Sequence, residues 1–157
     1  MRCFVVVVAW CLSIFASSAV WAQEREWVLD AAGEDVFLVF GVSGTADVGV
    51  SFWCKLGSEN VSLFAPLPAS HSATVPSSLS LDIGSKTFKL KAQPLSQVEL
   101  KSIEAKLAPQ DVILNMLQAE ERFVMTVGTH KTTFPLVGAD FDGLLKLCNQ
   151  NETKTEN

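Results

Sequence analysis

Apolar and polar residues alternate strictly from residue 48 to residue 56. Val48, Val50, Phe52, Cys54 and Leu56 fall on one side; Gly49, Ser51, Trp53 and Lys55 fall on the other. A period of two predicts a β-strand with one face in a core, and it turns the Cys54 side chain inward. Residues 36–42, just before it, are a continuous apolar run rich in β-formers. Such a run predicts a central strand buried on both faces. The turn residues Ser43-Gly44-Thr45-Ala46-Asp47 join the two, which makes them antiparallel neighbours.

The same pattern continues in both directions. Residues 24–29 read as a short first strand anchored by Trp27, and Val61, Leu63 and Ala65 alternate in the strand after residue 60. Residues 66–78 form a loop rich in proline and serine. Leu79, Leu81 and Ile83 alternate, Gly84-Ser85 turns the chain, and Phe88, Leu90 and Ala92 return with lysines outward, a hairpin signal. Residues 95–107 alternate in two pieces with a slip at Lys101-Ser102, which predicts a strand with a bulge. Pro109-Gln110-Asp111 opens a helix that gathers Val112, Ile113, Met116 and Leu117 on one side. Phe123, Met125 and Val127 give a further strand, and residues 132–137 its partner, placed at a sheet edge by Pro135. Asp140 starts a last helix with Phe141, Leu144, Leu145 and Cys148 at i, i+3, i+4 and i+7. Cys148 therefore also faces inward. The fold class that follows is mainly β: an antiparallel sandwich or flattened barrel with two short helices near the C-terminus.

The chain ends change the picture of where this fold works. Met1-Arg2, an apolar run over residues 3–15 and the small residues up to Ala22 predict a signal peptide, residues 1–22. The run falls short of the roughly 20 apolar residues of a membrane span, so no transmembrane segment is retained. Residues 23–148 then form a single β-rich domain, and residues 149–157, without an apolar side chain, a disordered tail. The predicted location is periplasmic or secreted. Cys54 and Cys148 are the two cysteines beyond the leader, and an oxidising compartment implies a disulfide between them. It would close a loop worth on the order of 4 kcal/mol in the chain-entropy treatment.

Charge narrows the partners. The 12 basic residues are scattered among 17 acidic ones, for a net charge of −5. Nucleic acid demands a concentrated positive surface and is excluded as a partner.

The catalytic inventory is thin: two histidines and no tyrosine. His71 stands between Ser70 and Ser72, with Asp82 further on, but no glycines frame either serine as a nucleophile elbow. His71 and His130 both read as solvated loop residues. Asp140-Phe141-Asp142-Gly143 opens like a calcium loop, yet apolar residues follow where later ligands would stand, so a helix cap is the reading. No catalytic residue, metal ligand or cofactor site is expected. Trp53, across the strand from Cys54, is expected to be buried under the N-terminal segment in contact with Trp27. Left uncovered, it would be a candidate interaction residue.

Trp27, Phe40-Gly41-Val42 with Thr45 and Asp47, Phe52-x-Cys54, Phe134-Pro135-Leu136 and Leu144-Leu145-x-x-Cys148 resemble small exported proteins of alphaproteobacteria, loosely similar to the invasion-associated locus B group. The resemblance implies a periplasmic, mainly β protein and carries over no catalytic residue. The expected function is a non-catalytic exported binding or envelope-interaction module, its partner a protein or an envelope component. The alternatives are an inhibitor of a secreted hydrolase that presents residues 66–78, or a hydrolase using His71.

Overall fold

The computed structural model describes residues 24–67, 75–95 and 102–150. Two antiparallel sheets face each other as a sandwich. The larger has six strands in the order β1 (Glu26–Ala32), β2 (Asp35–Gly41), β3 (Val48–Lys55), β4 (Val61–Pro66), β8 (Ser102–Leu107) and β7 (Gln93–Pro94). The smaller runs β10 (His130–Pro135), β9 (Arg122–Val127), β5 (Ser78–Ile83) and β6 (Lys86–Lys91). The helices α1 (Val112–Ala119) and α2 (Phe141–Cys148) follow β8 and β10 in the chain.

The inner faces meet where the alternation places them. Leu38, Phe52, Leu63, Leu81, Ile103 and Phe123 are all fully buried. At one edge the two sheets are tied by the Trp27 indole N–H, which donates to the Pro135 carbonyl at 2.6 Å. Trp27 packs against Phe40, Phe52 and Phe141 with ring centroids 5.3–6.3 Å apart.

Helix α2 closes this core against the six-stranded sheet. Its cap is as the sequence predicts: the Asp140 carboxylate accepts the Gly143 N–H at 2.8 Å. A side chain at Gly143 would collide with Asp140 and with Leu29 of β1, so glycine permits the close seat of the helix. Phe141 meets Phe52 edge-on at 4.9 Å, and one helix length later Cys148 is bonded to Cys54. The two Cα atoms lie 5.8 Å apart and both cysteines are buried. Helix α1 is capped by Asp111, which accepts the Ile113 N–H at 3.0 Å, and it buries Ile113, Leu114 and Leu117.

Four local expectations are corrected. The strand at residues 36–42 is not buried on both faces: Val36, Leu38 and Phe40 are buried, whereas Phe37 and Val39 are half-exposed because only one face of this sheet meets the core. Val48 does not point inward. Phe40 pairs with Val50 and Gly41 with Val48, so Gly49 is an extra residue that reverses the parity at the start of β3 and leaves Val48 exposed. Leu95 does not open a strand running into β8: its N–H donates to the Ser102 carbonyl at 3.0 Å, beside the pairing of Gln93 with Glu104 and of Pro94 with Ile103, and residues 96–101 of the expected bulged strand lie outside the described residues. On α1, Val112 is exposed and Leu114 takes its place in the core.

The disulfide spans 94 positions of sequence. Cys148→Ser is expected to cost between about 2 and 5 kcal/mol, measured by denaturant unfolding under oxidising conditions. Hydrogen exchange should accelerate first in α2, whose remaining hold on the sheet is Phe141 and Leu144.

Candidate binding face

The outer face of the six-stranded sheet is built from the residues that alternate with the core. Register alone places them in rows. One row runs Val28, Val39, Ser51, Phe64, Glu104 and Gln93 across β1, β2, β3, β4, β8 and β7. The next runs Asp30, Phe37, Trp53, Ser62 and Lys106, and Asp35 faces Lys55 beyond it. Outward positions of an antiparallel sheet are ordinarily polar. Here the centre is aromatic.

Phe37 and Trp53 are directly opposed, with ring centroids 6.4 Å apart, and Phe64 stands diagonally from Trp53 at 6.1 Å. These are the distances at which cross-strand aromatic neighbours attract. All three rings remain half-exposed. Val28 and Val39 extend the apolar surface toward the β1 edge, where a shallow depression lies among Val28, Phe37, Val39, Thr45 and Val48.

Trp53 is therefore not where sequence reasoning buried it. Trp27 lies on the inner face with Phe52 and Phe141, and Trp53 lies on the outer face with Phe37 and Phe64. The two tryptophans cannot touch, because Trp27 shares its side of the sheet with Cys54. The signal that could have found the site was the unbroken apolar run at 36–42. Phe37 and Val39 belong to a half-exposed outer patch rather than to a second buried face.

Polar groups around the rings are bonded to one another. The Trp53 indole N–H donates to Asp35 at 3.1 Å. Glu104 accepts the Ser62 hydroxyl at 2.6 Å and the Gln93 amide at 2.8 Å. Partial burial pushes the Glu104 carboxyl up, but the bonds from Ser62 and Gln93 and the charge of Lys106 outweigh it. The net pKa lies below the ordinary carboxylate value.

A second concavity, of about 260 Å³, opens between the sheets beside Arg25, Val48, Leu67, Val127, His130 and Thr132. Arg25 is committed to Asp47 at 2.6 Å, and the described residues lining the cleft include no carboxylate to orient His130. His71 lies outside the described residues, as do residues 68–74 of the loop, residues 1–22, expected as a signal peptide, and residues 151–157 of the tail expected at 149–157. Asp82, considered with His71, accepts the Thr87 hydroxyl at 2.7 Å and sits 3.5 Å from Lys131. No group of three or more His, Cys, Asp or Glu side chains suited to a metal ion occurs among the described residues. None of the helices among those residues is long and apolar enough to cross a membrane.

Comparison with protein-family models, with curated proteins and with solved structures finds no match for this chain.

Glu104 supplies a pH test of this face. A carboxylate with a depressed pKa stabilises the fold above the ordinary carboxylate range, and that contribution is lost as pH falls through the depressed value. Ser62→Ala should raise the Glu104 pKa, seen by NMR titration of its carboxyl carbon. Glu104's share of the acid-side loss of stability should be smaller, and complete at higher pH, than in the unsubstituted protein. An unchanged titration would show that the Ser62 bond does not hold the charge.

Proposed function

We propose that the protein is a non-catalytic, exported binding module that docks a protein or envelope component through the outer face of its six-stranded sheet, with Trp53 as the anchor. The observation that carries this reading is the row Phe37–Trp53–Phe64, half-exposed on a sheet face whose outward residues should otherwise be polar. Contiguous apolar surface in water is unfavourable without an occupant, and tryptophan is the residue most enriched among binding hot spots. The buried Cys54–Cys148 disulfide and the leader-like residues 1–22 support the exported part of the reading. So does the resemblance to exported alphaproteobacterial proteins, which implies a periplasmic protein.

Trp53→Ala tests it. The side chain loses two aromatic neighbours and one hydrogen bond, all at a half-exposed site, so the stability cost should be only about 1–2 kcal/mol. The variant should fold, keep its disulfide and lose a partner that the unsubstituted protein retains in pull-down from periplasmic extract. Lys89→Ala, on the other sheet, should keep that partner. Retention of every captured partner by the folded Trp53→Ala protein would sink the proposal.

A further inference from the structure

The charges on this face select among its possible occupants. By register, Glu26, Asp30, Asp35 and Glu104 share the side of the sheet that carries Trp53, against Lys55 and Lys106. Carboxylates are thus in excess around the aromatic row, in a chain whose net charge is already −5. A second copy would bring two acidic rims together, and an anionic lipid surface would be repelled for the same reason. A glycan needs donors as well as ring surface. Beside the rings, Trp53 donates to Asp35, and Ser62 and Gln93 donate to Glu104, which leaves the Ser51 hydroxyl as the uncharged side-chain donor in the row next to Phe64. The carboxylate lone pairs outnumber these donors and some stay open, since a carboxylate oxygen accepts more than one bond. Ammonium and guanidinium groups answer that chemistry best.

Resting on the docking reading above, we infer that the occupant is a polypeptide segment that lays apolar side chains over Phe37, Trp53 and Phe64 and brings Lys or Arg to the carboxylates at either end. Asp30 on β1 and Glu104 on β8 are four strand spacings apart, about 19 Å. The segment's basic residues must bracket its apolar ones over that span. The hydrogen bonds to Glu104 keep that end of the site ionised through neutral pH.

Three synthetic peptides of equal length test the inference on the full exported chain. Each has a central leucine and phenylalanine stretch bracketed at both ends by one residue type, which is lysine, serine or glutamate. Calorimetry should show the lysine peptide binding roughly tenfold or more tighter than the serine peptide, the glutamate peptide not at all, and the difference shrinking as salt rises. Glu26→Lys combined with Asp30→Lys should reverse the preference toward glutamate, and Trp53→Ala should weaken lysine-peptide binding by at least about tenfold. Equal binding of the lysine and serine peptides, lost in Trp53→Ala, would overturn the charge selection and leave the docking face standing. The same division holds if a neutral soluble polysaccharide binds instead, or if sedimentation shows self-association, with Trp53→Ala abolishing either. If no binding to any of these probes depends on Trp53, this inference and the docking face both fall.

Discussion

A pleated strand cannot turn two successive side chains to the same face, and at Trp53–Cys54 this constraint divides the molecule. Cys54 must point inward, where it meets Cys148 and fixes the end of α2 against the sheet. Phe52, two positions back on the same side, receives Phe141 from the start of that helix. Trp53 is left on the opposite face, beside Phe37 and Phe64. Core closure and exposed aromatic row are thus set by one stretch of backbone. Slipping β3 by a single residue would exchange them, putting the cysteine in solvent and the tryptophan in the core.

Much of this was legible in the amino-acid order. The alternation in β3, β4, β5 and β9, the cap at Asp140, the edge position of Pro135 and the pairing of the two cysteines all follow from local chemistry. What was not legible depended on relations between distant segments. A continuous apolar run at 36–42 is equally consistent with a strand between two layers and with a strand whose outer face is itself apolar. Only the number of layers decides. The parity of Val48 turned on one inserted residue, Gly49, whose missing side chain lets Phe134 and Phe40 approach. Trp27 was assigned to the wrong face because nothing in its own strand shows on which side of the sheet Phe141 will arrive. The candidate face inherited that error: of its residues only Trp53 was singled out, and its side of the sheet was read as covered.

The sheet edges show how the fold limits unwanted pairing while leaving one face apolar. The outer edge of the smaller sheet carries Lys86, Lys89 and Lys91 on β6, and its other edge, β10, ends in Pro135. Both are recognised means of discouraging another strand from adding to a sheet. On β1 the protection is different, since the Trp27–Pro135 bond draws the two sheets together there. Contacts through the edges are discouraged, so an apolar face can be tolerated with less danger of stacking into aggregates.

The closing of the sheet by α2 has a consequence for how the chain comes into being. Trp27 and Leu29 belong to the first strand, yet they are covered by Phe141 and the Gly143 turn of the last helix, and the bond that locks that helix is made by Cys148. A chain emerging from its N-terminus therefore presents an incomplete β1–β2–β3 surface until residue 148 has been made. The last turn of α2 is the piece that finishes the first hairpin. A chain truncated slightly before Cys148 would keep the ten strands among the described residues without the fastening that unites their two ends.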